Sequence, residues 1–152
     1  MATKTTLRAE IRGRRRAHRA LSSPQMGARS SHTDQAPLPV RHRAEAGGIA
    51  SQVRALASSM GGVTLPALFV STPLEPDMSL ALGLFPRALL PVLLDEAGDA
   101  LGEPRWGLWE AGSALATPGP PPAQPAGEAR GAESLKEADL IVIPALAASA
   151  DG

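Results

Sequence analysis

Apolar residues recur at helical spacing in two segments of the first half of the chain. Residues 5–21 carry a sparse apolar stripe among many arginines, which predicts a helix with a solvated basic surface. Residues 44–60 are predicted to form a second helix, whose apolar face consists of Ile49, Val53, Leu56 and Met60. Residues 22–43 separate the two helices and are rich in Ser, Pro and Gly without a period, so we predict an irregular loop there.

The second half of the chain contains short apolar runs of strand length. Four strands are predicted, at residues 67–70, 88–94, 105–109 (the weakest) and 139–143. Pro66 argues against a longer first strand, because proline cannot donate a ladder hydrogen bond. Two short helices are predicted, at residues 76–84 and 131–138, and the Pro-rich stretch 112–131 is predicted to be an irregular loop. Strands that are apolar on both faces and alternate with helices favour an α/β domain with a mostly parallel sheet.

The segments that follow three of these strands contain acidic residues. They are residues 71–75, 95–96 and 144–152. In an open α/β sheet, ligands bind beyond the carboxyl ends of the strands. An anionic ligand at this acidic edge would therefore need basic residues from elsewhere in the chain.

The chain of 152 residues has a formal net charge of zero, but the charge is divided unevenly. Residues 1–54 contain eleven basic and three acidic residues, whereas residues 55–152 contain four basic and twelve acidic residues.

The absence of cysteine excludes disulfides and thiolate metal sites, and only 3% of the residues are aromatic, which argues against base stacking. We find no secretory signal and no apolar run long enough to span a membrane, and we expect a cytoplasmic protein that binds neither membrane nor nucleic acid.

Two small groups of residues are candidates for ligand binding. Lys4 and Arg8 lie at i and i+4 on one helical face, where paired cations can grip a polyphosphate, although a solvated basic helix explains the same spacing. Glu75 follows a strand and can accept hydrogen bonds from the amino groups of a heterocycle, with Val70 packing against its ring. An acid that favours a helix amino terminus is the alternative for Glu75.

Taken in order, five segments resemble the 5-formyltetrahydrofolate cyclo-ligase (methenyltetrahydrofolate synthetase) family. They are KTTLRAEIRGRRRA at the amino terminus, ALFVSTPLEPDMSLAL, ALLPVLL, RWGLWEAG and, at the end, EADLIVIPALAASADG. The resemblance covers nearly the whole chain apart from residues 25–43, which look like an insertion. It implies a three-layer α/β/α, Rossmann-like fold in a single domain.

The resemblance also implies an activity and a set of contacts. Members of the family use ATP and Mg²⁺ to convert 5-formyltetrahydrofolate into 5,10-methenyltetrahydrofolate, ADP and phosphate. Carried onto this sequence, the ATP contacts are Lys4, Thr5, Thr6, Leu7 and Arg8, and the folate contacts are Val70 and Glu75. We expect a monomer whose partners are these two small molecules.

One part of the family pattern is not found in this sequence. The family's Asp-Gly pair, here Asp151 and Gly152, leads into an Arg-Leu-Gly-x-Gly-x-Gly loop that supplies phosphate donors, folate contacts and an Asp for Mg²⁺. We therefore expect an incomplete domain that lacks the carboxyl-terminal part of the fold and has impaired activity, with no catalytic residue or metal ligand assignable. The alternative is a non-catalytic α/β remnant whose basic amino-terminal arm binds anionic partners.

Overall fold

The structure is a computed structural model that describes residues 9–10, 12–13, 16–17, 40–73, 75–118 and 122–145. Six of these residues belong to the helix predicted at 5–21, and all six are helical and exposed. The predicted loop at 22–43 lies outside the described residues except for its last four positions, which are helical.

The first long helix, α1, runs from Val40 to Ser59. The loop prediction was therefore wrong for residues 40–43, which contain neither proline nor glycine to stop a helix. The helix ends where Gly61 and Gly62 adopt positive φ angles of 81° and 109°, and their N–H groups donate to the carbonyl oxygens of Ser58 and Ala57. Positive φ at these positions suits glycine and satisfies carbonyl groups at the helix end.

The buried face of α1 differs from the predicted apolar stripe. Ala46, Ala50 and Val53 are buried, whereas Leu56 and Met60 are about half exposed. The short helix α2, Ser79–Leu82, packs against α1. Small alanine side chains let two helices approach closely, so the alanine face rather than the larger leucine and methionine forms the contact.

Seven strands follow in the described part of the chain. They are β1 (Pro66–Ala67), β2 (Arg87–Leu94), β3 (Ala100–Glu110), β4 (Leu115–Ala116), β5 (Gln124–Pro125), β6 (Ala129–Arg130) and β7 (Leu140–Ile141). A five-stranded sheet has the order β6-β3-β2-β1-β7, and β4 and β5 form a separate two-stranded sheet. A 3-10 helix, Ala132–Glu137, connects β6 to β7. None of the helices within the described ranges is long and apolar enough to cross a membrane.

The five-stranded sheet is mixed. β1 pairs in parallel with β2 and β7, whereas β3 pairs antiparallel with β2 and β6. Four of its five strands thus run in one direction, and β3 runs against them. The α/β class is confirmed at this level, but the sheet departs from the predicted parallel arrangement at β3. A hairpin turn at 95–99 joins β2 directly to β3, and a connection this short allows only antiparallel pairing.

Several predicted boundaries also need correction. β1 consists of Pro66 and Ala67 and is therefore shorter than the predicted strand 67–70. It can begin at Pro66 because a proline is tolerated at the first position of a strand. β3 is eleven residues long, so the predicted strand 105–109 is only its second half. The predicted irregular loop at 112–131 contains three two-residue strands, β4, β5 and β6. A strand of two residues can pair through its backbone. A Pro-rich composition gives no sign of such short strands.

One face of the five-stranded sheet forms the main core with the helices. Leu68, Leu90 and Trp109 lie on this face and pack with residues of α1 and α2. On the opposite face, Ala67 and Leu89 are fully buried, but Ile141 in β7 is 49% exposed. Ile143, just past β7, is 70% exposed, so the predicted burial of 139–143 on both faces was wrong. The reason is that β7 lies at the edge of the sheet.

Candidate functional site

The loop that follows β1 is held closed by one serine. The backbone N–H of Met78 donates to Ser71 Oγ (2.9 Å), and the Ser71 hydroxyl donates to the carbonyl oxygen of Pro76 (2.5 Å). Pro73 and Pro76 have no N–H groups to offer, so side chains take over much of the hydrogen bonding that fixes the loop. These two bonds link Ser71 to the far end of the loop at the carboxyl end of β1.

The two acids of this loop accept hydrogen bonds from its backbone. Glu75 Oε2 accepts from the N–H of Thr72 (2.8 Å), and the Glu75 N–H donates to the carbonyl oxygen of Thr72 (3.1 Å). Asp77 Oδ1 accepts from the N–H of Ser79 (2.9 Å), the first residue of α2. The contact between Asp77 and Ser79 satisfies one of the N–H groups that a helix start leaves unpaired.

A small cavity of about 190 Å³ lies between this loop, α2 and β4. Val70 and Phe69 form its wall after β1, Met78 and Leu82 belong to the α2 side, and Leu115 comes from β4. Ser71, Asp77 and Ser79 supply its polar groups. The cavity combines apolar and polar lining groups, as small-molecule sites do, but its volume lies below the range of about 300–1,000 Å³ typical of them.

A larger cavity of about 560 Å³ lies between the β2–β3 hairpin and β4 and β5. Its outer end is the turn after β2, where Asp95 Oδ1 accepts hydrogen bonds from the N–H groups of Ala97 (3.0 Å) and Asp99 (2.8 Å). The acid at position 95 therefore shapes this turn. Glu96 and Arg105 also line the cavity.

Gln124 connects β5 to an irregularity in β2. The register between β2 and β3 shifts between Val92 and Leu94. The Gln124 side-chain oxygen accepts from the N–H groups of Leu93 (3.0 Å) and Leu94 (3.1 Å), and its amide nitrogen donates to the Leu94 carbonyl oxygen (2.8 Å). Gln124 is only 5% exposed, and its side chain satisfies the hydrogen-bonding groups of the β2 backbone at this irregularity.

No protein-family model, curated protein or solved structure matches this chain.

The residues predicted to bind ligands have different outcomes. Lys4, Thr5, Thr6, Leu7 and Arg8 lie outside the described residues. Val70 was predicted to end the strand and Glu75 to follow it, but both lie in the loop after β1, which ends at Ala67. Of these two residues, Val70 lines the small cavity and Glu75 does not. Within the described ranges, no group of three or more His, Asp or Glu residues could hold a metal ion.

Sequence reasoning missed Ser71, Leu115 and Gln124. Ser71 has a recognisable signal, since a serine directly after a strand and before a Pro-rich turn is well placed to hold that turn. Leu115 and Gln124 have no local signal, because their partners lie 30 or more residues away in the chain. Only the tertiary fold brings them to the two cavities.

Asp139 joins the start of β7 to the segment before β1. Its Oδ2 accepts from the N–H and hydroxyl of Thr64 (2.7 and 2.9 Å), and its Oδ1 accepts from the N–H of Leu65 (3.1 Å). Desolvation works to raise the pKa of Asp139, but the hydrogen bonds from Thr64 and Leu65 outweigh it and hold the pKa below its ordinary value.

We predict that Asp139→Asn removes stability at neutral pH but not in acid. Because the folded-state pKa lies below the unfolded value of about 3.9, the ionised carboxylate stabilises the fold fully above that value. The stabilisation is lost as the pH falls through the lower folded-state pKa. In urea titrations, the gap between wild type and Asp139→Asn should therefore close as the pH falls below about 4.

Glu45→Gln, which changes an exposed acid on α1, serves as the control and should show no such gap. A gap between wild type and Asp139→Asn that is as large at pH 2 as at pH 7 would contradict the role of the carboxylate.

Proposed function

We propose that this chain is a 5-formyltetrahydrofolate cyclo-ligase with a three-layer α/β/α, Rossmann-like fold, and that its activity is impaired because this sequence contains no Arg-Leu-Gly-x-Gly-x-Gly segment. The observation that carries the proposal is the ordered resemblance of five segments to that family. It is supported by the position of Val70 and Glu75, which fall in the closed loop at the carboxyl end of β1. That is the end at which ligands bind in open α/β sheets.

In this proposal, the loop after β1 binds the heterocycle of the folate. Val70 is half-buried and presents apolar surface to the small cavity, where it would pack against a ring. Glu75 does not line this cavity, so its carboxylate would accept hydrogen bonds from amino groups on the part of the ring that lies outside it. Its bond from the Thr72 N–H fixes the carboxylate before substrate arrives, which lowers the entropic cost of binding.

The proposed reaction activates an amide oxygen that is otherwise a poor leaving group. The formyl oxygen of the substrate attacks the γ-phosphorus of ATP, forming an O–P bond while the bond to the β,γ-bridging oxygen breaks and ADP leaves. The resulting imidoyl phosphate is attacked by the neighbouring folate nitrogen, which closes the five-membered ring. The attacking nitrogen releases its proton, phosphate leaves with the former formyl oxygen, and the product is 5,10-methenyltetrahydrofolate.

Charge stabilisation of the transferring phosphoryl group falls to residues outside the described part of the chain. Lys4 and Arg8 are the proposed ATP contacts, because fixed cations stabilise the charge of a phosphoryl transfer. We assign no residue to Mg²⁺, because the Asp that the family uses for this ion has no counterpart in the segments that carry the resemblance.

We predict that Glu75→Gln weakens binding of 5-formyltetrahydrofolate at least about tenfold, because a charged acceptor is replaced by a neutral one. The glutamine oxygen can still accept from Thr72, so the loop should persist and the stability of the fold should change little. Isothermal titration of the 152-residue chain measures the affinity, and thermal unfolding checks the loop.

The matched control is Glu110→Gln, which changes an exposed acid on β3 and should leave the affinity unchanged. If Glu75→Gln binds the folate as well as wild type does, Glu75 serves only the turn with Thr72, and its assignment as a folate contact fails.

The rival function is a non-catalytic remnant whose basic arm binds anionic partners, and it predicts binding of polyanions without binding of ATP or folate. A chain that binds heparin with strong salt dependence, yet binds neither ATP nor 5-formyltetrahydrofolate, would favour it over the cyclo-ligase.

A further inference from the structure

The larger cavity is walled by the β2–β3 hairpin on one side and by β4 and β5 on the other. The two sides are held together by Gln124 and by a close approach at Gly107. A Cβ atom at Gly107 would lie 3.0 Å from the Pro125 Cβ and 3.2 Å from the Val92 Cγ2. A side chain at position 107 would push Pro125 or Val92 away by a few tenths of an ångström, so the glycine and Gln124 both contribute to the close packing of β5 on the sheet.

This cavity is distinct from the one lined by Val70. Strand β4 separates them, because Leu115 lines the small cavity and the next residue, Ala116, lines the large one. Successive residues of a strand point to opposite faces. The volume of about 560 Å³ lies within the range of about 300–1,000 Å³ typical of small-molecule sites.

Arg105 gives the cavity its chemical preference. It stands opposite Val92 in the β2–β3 ladder, and its guanidinium has no carboxylate partner within ion-pair distance in the part of the chain that the structure describes. The two acids that line the cavity, Asp95 and Glu96, lie in the hairpin turn after β2, beyond the position opposite Arg105. Arg105 is exposed and also lines a neighbouring cavity of about 520 Å³ with Glu103, Glu128 and Glu133, none of which lies within ion-pair distance of it.

We propose that the cavity binds a small amphipathic anion. The apolar body of the ligand contacts Val92, Pro125 and Ala129, and its carboxylate or sulfonate pairs with Arg105. A guanidinium recognises such groups with paired hydrogen bonds. This site is additional to the loop after β1, and it does not rest on the proposed cyclo-ligase activity.

The test is a fluorescence titration of the 152-residue chain with 1-anilinonaphthalene-8-sulfonate and with N-phenyl-1-naphthylamine, its uncharged counterpart. We expect Arg105→Gln to raise the dissociation constant of the sulfonate about tenfold and to leave that of the uncharged probe nearly unchanged. Arg105→Lys should lie between wild type and Arg105→Gln. The control is Arg87→Gln, an exposed cation outside the cavity, which should match wild type.

A second variant, Ala116→Phe, fills the cavity and should weaken both probes. Circular dichroism establishes that each variant is folded. The proposal is overturned if the sulfonate binds wild type and Arg105→Gln equally well, or if Ala116→Phe leaves the binding of both probes unchanged.

Discussion

Replacing Gln124 with alanine is expected to lower the free energy of unfolding by about 3 kcal/mol, since each buried polar group left unpaired costs about 1–3 kcal/mol. The change leaves the N–H groups of Leu93 and Leu94 and the Leu94 carbonyl oxygen without their side-chain partner. The loss is large because three hydrogen bonds of a side chain that is only 5% exposed are removed together. Urea denaturation of wild type and variant gives the difference directly.

Gln124→Glu separates the hydrogen bonds from the packing. Its carboxylate can accept from Leu93 and Leu94 but cannot donate to the Leu94 carbonyl when ionised, so we expect a loss between those of wild type and Gln124→Ala at pH 7. A Gln124→Ala variant within about 0.5 kcal/mol of wild type would mean that Gln124 does not support the β2 irregularity.

Leu90→Ala is expected to cost about 3–4 kcal/mol, within the range for a fully buried leucine. Leu90 lies in the middle of β2, is fully buried and packs in the core between the sheet and the helices. Removal of its side chain leaves a cavity, because both neighbouring strands are fixed by hydrogen bonds and cannot close around it.

The matched control is Leu80→Ala, in the exposed side of α2, where the leucine is 48% exposed. We expect a loss below about 1 kcal/mol there. Equal losses in the two variants, measured by urea denaturation, would contradict the assignment of the core to the helix-facing side of the sheet.

The strand β2 was predictable because its signal is local. A continuous apolar run at 88–94 agrees with the observed Arg87–Leu94 to within one residue. The helix α1 was predictable for the same reason, but its buried face was not. Periodicity identifies which residues share a face, whereas the choice of Ala46 and Ala50 over Leu56 depends on how closely α2 approaches.

The antiparallel strand β3 and the short strands between 112 and 131 were not predictable in the same way. The first half of β3 contains Gly102 and Pro104, which suggest a turn, and pairing with β2 overrides this local preference. β5 is a Gln-Pro pair in a Pro-rich stretch, and only its contacts with β2 and β4 make it a strand.

The candidate site was predicted in part. The position of Val70 and Glu75 at the carboxyl end of a strand could be inferred from the order of apolar runs and acids along the chain. That Glu75 binds Thr72, and that Ser71 closes the loop, depends on the backbone geometry of two prolines and could not be inferred. The cavity at Arg105 had no sequence signal, because its walls come from residues 92 to 129.

The most direct test of the proposed function is an isothermal titration of the 152-residue chain with 5-formyltetrahydrofolate, with and without ATP. We predict saturable binding at one site per chain, weakened by Glu75→Gln and unchanged by Glu110→Gln. The absence of saturable folate binding by a folded chain would contradict the assignment.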